Sequence, residues 1–306
     1  MSAPPRNPAS GVLLVDKPAG ITSHDVVART RKFVGTRKVG HAGTLDPMAT
    51  GLLVLGINNS TRLLTWVVGL DKEYTATIRL GASSSTDDAE GELSARCSPE
   101  ALAAVTDAAL AEGIARLTGA ISQRPSSVSA IKVDGKRAYT LAREGTDVVL
   151  EERSVTVSAF DMLAVRRAEW VDVDVRVECS SGTYIRALAR DLGESLGVGG
   201  HLTALRRTRI GPFSVTESVD IDASMEGSLI SPAVAATQLF HALPLTEEQA
   251  SDLGNGKRIE LPPAVGTQAA LAPDGRLIGL LEIVDGRARV LVNFPPDLPT
   301  TAEVPE

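Results

Sequence analysis

The chain is poor in sulfur and in rings. Its 306 residues include two cysteines, Cys97 and Cys179, and aromatic residues make up 3% of the total. Two cysteines form neither a disulfide framework nor a C-x-x-C motif, and such scarcity fits a reducing, cytoplasmic compartment. No apolar run approaches the ~20 residues needed to span a bilayer, so no membrane partner is expected. The first ten residues, MSAPPRNPAS, hold one arginine and no apolar core, so they read as a disordered leader and not as a signal peptide.

Several chemistries lack their motifs. Zinc-dependent base deamination needs H-x-E with P-C-x-x-C, and there is no C-x-x-C. Gly254-Asn255-Gly256-Lys257 is followed by Arg258, which is not a phosphate-binding P-loop. No G-x-G-x-x-G follows a strand, and no G-x-S-x-G nucleophile elbow occurs. The four histidines, at 24, 41, 201 and 241, stand far apart without metal-ligand spacing. No cofactor and no metal are expected.

What is present is an ordinary folding composition, 43% hydrophobic and 23% charged. The net charge of −7 conceals a segregation. Residues 1–70 are net +5, 121–145 net +3 and 183–209 net +3, whereas 214–306 are net −9. A polyanion responds to the local field, not to the sum, so three basic segments gathered on one face would suit a nucleic acid. Scattered over the surface, they would be ordinary solvated charge.

Hydrophobic periodicity sets the elements. Gly11–Val15 reads as a strand that turns at Asp16–Gly20. Ser23 is a candidate N-cap for a helix over about 24–34 that stops at Gly35. The segment His41–Pro47 reads as loop, and Gly51–Ile57 as a buried strand. Glu73–Leu80 and Val171–Ser180 alternate strictly, as half-buried strands do. The period then becomes helical through Ile185, Leu188, Ala189, Leu192 and Leu196, which places Ser181–Arg186 at a strand-to-helix junction. Residues 99–118 are expected to be helical. Two Asp-Gly pairs, at 274–275 and 285–286, alternate with apolar runs in the pattern of a β-meander. Strands and helices mix without regular βα alternation, so the fold class expected is α+β.

The remaining chemistry is an aspartate in a glycine-rich loop, a tyrosine opening a strand and an arginine at the junction. Here the residues carry a resemblance. Gly11–Ser23, Gly40-His-Ala-Gly-Thr-Leu-Asp-Pro47 and Ala49–Leu53 closely resemble the TruB family of tRNA pseudouridine-55 synthases. The same order continues through Lys72-Glu-Tyr74, Ser129–Gly135 with Tyr139 and Ala142–Gly145, Ser181-Gly-Thr-Tyr-Ile-Arg186, and His201–Arg207. The match runs over about residues 11–215, and Leu277–Ile283 is similar to the family's small PUA-like domain.

The resemblance implies a pseudouridine synthase fold, a mixed and mainly antiparallel sheet with flanking helices. The expected organisation is a leader at 1–10 and a catalytic domain at 11–225 with an RNA-contacting insertion at about 120–150. A linker at 226–239, a PUA-like β-domain at 240–295 and a flexible tail at 296–306 complete it. The implied reaction breaks the glycosidic N–C bond of a uridine, rotates the uracil and forms a C–C glycoside. The implied substrate is the tRNA T stem-loop. No coiled-coil or dimer element is evident in the sequence, so a monomer without a protein partner is expected.

By the same resemblance Asp46 is the catalytic carboxylate, and Arg186 is the cation that keeps it ionised. Tyr74 is the active-site tyrosine, able to stack on uracil and to remove a proton. Whether Asp46 attacks the ribose C1′ or the base C6 stays open. A uridine inside a folded loop must leave its stack before it can react. His41 matches the histidine that fills the vacated space, and Tyr184 and Leu205 match positions lining the uridine pocket. Lys132, Arg137, Arg206 and Arg207 are expected phosphate contacts. Lys17 either joins the RNA-binding set or only packs behind the catalytic loop.

One departure stands out. Where the family commonly has Thr-Asp-Thr-x-Asp, this chain has Ser84-Ser85-Thr86-Asp87-Asp88. A supporting acidic residue is therefore either missing or shifted by two positions. Two rival readings remain: a guide-RNA-dependent enzyme of the same family within a ribonucleoprotein, and an RNA chaperone without chemistry. Activity on bare tRNA separates the first, and indifference to the loss of Asp46 the second.

Overall fold

The structure, a computed structural model, describes residues 9–126, 132–133, 136–137, 150–221 and 228–297. In chain order these form β1 (Gly11–Lys17), α1 (Ser23–Val34), β2 (Val39–Ala42), β3 (Thr50–Ile57), α2 (Leu64–Val68), β4 (Lys72–Leu80), α3 (Pro99–Ala103) and α4 (Asp107–Arg116). Then follow β5 (Gly119–Gln123), β6 (Lys132–Val133), β7 (Lys136–Arg137), β8 (Arg153–Arg167), β9 (Val171–Cys179), α5 (Ile185–Ser195) and β10 (Gly200–Ile210). The chain continues as β11 (Phe213–Ser214), β12 (Val219–Asp220), α6 (Pro232–Leu239), β13 (His241–Pro244), α7 (Glu247–Gly254), β14 (Gln268–Leu271), β15 (Leu277–Val284) and β16 (Arg287–Asn293). The α+β class holds.

The chain divides into two compact units, one of residues 1–46, 52–68 and 212–306 and one of 47–51 and 69–211. In the first, β1 lies between β12 and β3, and β2 runs antiparallel to β3. Leu13, Val15, Leu53, Leu55 and Ile57 of the strands pack on Val26 and Val27 of α1. The same unit holds a four-stranded sheet in the order β13-β14-β15-β16. Its last hairpin turns through Asp285 (φ 51°) and Gly286 (φ 73°), the paired positive φ of a two-residue hairpin loop.

In the second unit the strands run β10-β4-β9-β8-β5, each neighbour antiparallel. Alternation sorts the faces of β4 and β9. Tyr74, Ala76, Ile78 and Leu80, with Val173, Val175 and Val177, are buried. The opposite positions pair their charges across the strands: Arg79 grips Asp172 through two bonds of 2.8 Å, and Thr77 donates to Asp174. The α5 helix buries Ile185, Leu188, Ala189 and Leu192.

Three local expectations are corrected. Residues 99–118 form two helices, because Thr106 accepts from Ala109 N and starts a second one. His41 lies on a strand, since β2 finds a partner in β3 with His41 opposite Leu55. The N-cap of α1 is Thr22, not Ser23. Thr22 Oγ1 accepts from Asp25 N, and Asp25 Oδ2 accepts from Thr22 N, a reciprocal capping box.

Candidate active site

The first unit carries Lys17, His41 and Asp46. With the capping role taken by Thr22, Ser23 is free for another task. It is fully buried, and its hydroxyl accepts from Leu45 N at 2.9 Å and donates to Leu45 O at 3.1 Å. Both backbone groups of the residue before Asp46 are thereby tied to the start of α1. The loop that bears Asp46 has no regular structure of its own, so this clamp substitutes for a ladder. Asp46 itself is half-buried. Lys17 is fully buried, and its Nζ donates to Pro18 O at 2.9 Å and Ile21 O at 2.7 Å. These bonds brace the turn between β1 and α1. His41 is half-buried, and its ring meets that of His24 edge-on.

The second unit carries Tyr74, Tyr184, Arg186, Leu205, Arg206 and Arg207. Tyr74 is buried on β4 and stands directly opposite Arg207 of β10. Leu205 is buried on β10 opposite Ala76, two positions along. The expected phosphate contacts Arg206 and Arg207 differ. Arg206 is half-buried and reaches Thr50 Oγ1 at 3.4 Å, whereas Arg207 is 1% exposed. Alternation along the strand forces this split, because successive side chains leave opposite faces. Gly51 lets the backbones meet there. Its φ is +99°, and a Cβ would stand 2.2 Å from Arg207 O.

Lys72, two residues before Tyr74 on the same strand, is also buried, with Nζ donating to Leu70 O at 2.5 Å. Burial, with Arg207 as a like charge beside it, pushes its ammonium down to about 8. Unfolded, the same lysine titrates near its ordinary 10.5. The cost of charging it in the fold therefore builds as pH falls from about 10.5 and is complete below about 8. The chain with Lys72→Met is expected to be more stable at pH 7, by roughly 2 kcal/mol once the lost hydrogen bond is subtracted. That gain shrinks as pH rises to 10.5. Urea titrations of both chains at pH 7, 9 and 10.5 check it; a gain independent of pH sinks the account.

Arg186, in the first turn of α5, is 4% exposed. Its Nη1 donates to Thr86 O at 2.8 Å and lies 3.4 Å from both Ser126 Oγ and Asp88 Oδ2. Asp88 is itself buried, and its Oδ1 accepts from Thr86 Oγ1 at 2.5 Å and Glu90 N at 3.0 Å. Its neighbour Asp87 takes a left-handed φ of 61° and accepts from Ser126 Oγ at 2.7 Å and Arg190 Nη1 at 3.2 Å. The altered Ser84–Asp88 segment thus keeps a carboxylate on Arg186, supplied by Asp88.

Tyr184 is the N-cap residue of α5 and brings no side-chain cap. The buried Gln123 holds its backbone instead, accepting from Tyr184 N at 2.8 Å and donating to Tyr184 O at 3.1 Å. Lys132 and Arg137 are register partners in the antiparallel pairing of β6 with β7. Their side chains, Tyr139 and Ala142–Gly145 lie outside the described residues.

Sequence reasoning did not single out Gln123, Ser126 or Arg190, and it gave Ser23 only a capping role and Asp87 only a place in the altered segment. Each acts through a partner 22 to 103 residues away, except where Arg190 meets Asp191. The one signal available was that Asp87-Asp88 forms an acidic pair inside an otherwise small-residue loop.

Comparisons with known proteins bear on this arrangement. Residues 31–185 match the N-terminal domain of the TruB family of pseudouridylate synthases. Residues 186–230 match a tRNA pseudouridylate synthase B C-terminal domain, and 240–295 the C-terminal domain of tRNA pseudouridine synthase II. The tRNA pseudouridine synthase B of Leifsonia xyli subsp. xyli is 60% identical over 294 residues, 94% of this chain and 97% of that protein. Its counterpart in an Arthrobacter species is 55% identical over 300 residues, again 94% of this chain and 97% of the relative. Among solved structures, a chain of a Cbf5-Nop10-Gar1 complex superposes with a TM-score of 0.69 at 24% identity. It covers 94% of this chain and 85% of that one. A second, from an H/ACA ribonucleoprotein bound to a substrate RNA, gives 0.68 at 22%, covering 95% and 86%. Identities this low establish a shared fold.

Proposed function

The chain belongs to the TruB family of pseudouridylate synthases, isomerases that convert uridine to pseudouridine in tRNA, and from that premise we propose that it acts on uridine 55 of the T loop, alone and without a cofactor. The reaction conserves atoms and electrons. The N1–C1′ bond breaks, a C5–C1′ bond forms, and the C5 proton leaves as N1 gains one. No oxidant or reductant enters.

Asp46 is the nucleophile, adding through its carboxylate to C1′ or C6. The observation that carries this reading is the Ser23 clamp. A carboxylate must be positioned before it can attack, and the two bonds to Leu45 hold the adjacent backbone in place. By the family resemblance Arg186 supplies the cation of the reaction, and Tyr74 stacks on the uracil and takes the proton. The uridine is read outside the stack, with His41 in the space it leaves and Tyr184 and Leu205 lining its pocket. Arg206, Lys132 and Arg137 contact phosphates. Lys17 and Arg207, both buried, support the site from within.

The test uses unmodified tRNA transcript and the purified chain, with pseudouridine mapped by nucleotide. One product per tRNA, at position 55, is expected. Conversion at another uridine, or only after a guide RNA is added, overturns the proposal.

A further inference from the structure

The four histidines are far apart in sequence, yet the fold brings two of them into contact. The rings of His24 and His41 stand 5.6 Å apart between centroids, with 81° between their planes. This is the edge-to-face arrangement that ring quadrupoles favour. His24 is exposed in the first turn of α1, and His41 is half-buried on β2. The cap of that turn is built by Thr22 and Asp25, and the clamp to the loop by Ser23. Neither needs a ring at position 24.

Both backbones beneath the two rings are fixed. His41 sits in the β2–β3 ladder, and His24 follows the clamped Ser23. An imidazole on a short strand has several rotamers open to it, and a ring held edge-on restricts that choice. Restriction before binding lowers the ordering cost when RNA arrives. We propose that His24 is a positioning residue for His41, holding its imidazole in the orientation that enters the base stack as the uridine leaves. This rests on the role proposed above for His41.

The test compares His24→Ala, His24→Phe, His24→Lys and His41→Ala, singly and with the two alanines combined. The readouts are single-turnover conversion of tRNA transcript and the fluorescence of 2-aminopurine placed beside the target uridine. His24→Ala is expected to lower kcat/KM and the flipped fraction roughly 2- to 10-fold, the span of an aromatic pair. His24→Phe keeps a ring without a charge and restores both. In the His41→Ala background, His24→Ala adds nothing. A loss that persists in that background overturns the inference, as does a loss rescued by lysine and not by phenylalanine, which marks a direct phosphate contact. If His41→Ala alone changes neither readout, it is the role of His41 that fails. Position 24 is exposed, so melting temperatures should agree across its variants and exclude misfolding.

Discussion

The Asp46→Asn chain is expected to form no detectable pseudouridine and to bind unmodified tRNA with the affinity of the unaltered chain. The amide is close to isosteric with the carboxylate and can keep the same place in the loop. The clamp that holds the loop uses the Ser23 hydroxyl and the Leu45 backbone, which the substitution leaves untouched. On the proposed role of Asp46, only nucleophilicity is removed. Loss of a covalent nucleophile costs about 10⁴-fold or more in rate. Single-turnover conversion of T-loop-labelled tRNA, beside filter binding of the same tRNA, measures both quantities. Conversion within tenfold of the unaltered rate would remove Asp46 from the chemistry. Equal loss of binding and conversion would make it a structural residue. A chain that still helps tRNA to fold after this substitution has a second activity that does not depend on the nucleophile.

Replacement of Arg186 is expected to cost both activity and stability, and the two can be separated. Arg186 and Asp88 form an ion pair buried on both sides, at 5% and 3% side-chain exposure. Removing one partner of a buried pair leaves the other charge without compensation and costs about 3–5 kcal/mol. Arg186→Ala should therefore lower stability by that order and abolish conversion. Adding Asp88→Asn removes the stranded carboxylate, so the double variant recovers part of the stability. It should recover none of the activity if the guanidinium at position 186 has the part in the reaction proposed above. Arg186→Lys keeps the charge without the planar fork, and kcat falls roughly 10²- to 10³-fold. Urea titration and single-turnover kinetics on the four chains provide the comparison. If the double variant regains activity with stability, Arg186 is a packing residue.

The elements were legible where a period ran long enough to name a face. The alternation read over Val171–Ser180 and Glu73–Leu80 matches strands at Val171–Cys179 and Lys72–Leu80, and the apolar stripe of Ile185–Ser195 is the buried face of a helix. Local signals became ambiguous where two residues could do one job. Thr22 and Ser23 are both competent caps, and the choice fell to Thr22 because Ser23 has a partner at Leu45. His41 read as loop because its strand is four residues long and exists only by pairing with β3. The 99–118 segment read as one helix because it is rich in alanine and leucine, and the break falls where Thr106 caps a new start.

The sequence by itself determined the local elements, the α+β class and, through its motifs in their order, the family and the residues expected to do its chemistry. Those are properties of spacing, which the chain carries along its length. Tertiary structure alone decided which charges are buried and what compensates them. Lys17, Lys72, Arg186 and Arg207 are cations, which composition assigns to the surface, yet all four are interior. The supporting carboxylate of Arg186 is Asp88, 98 positions away, and the segment that looked altered keeps it in place. An ion's free energy depends on the groups within a few ångströms of it, and in this fold those groups come from distant parts of the chain.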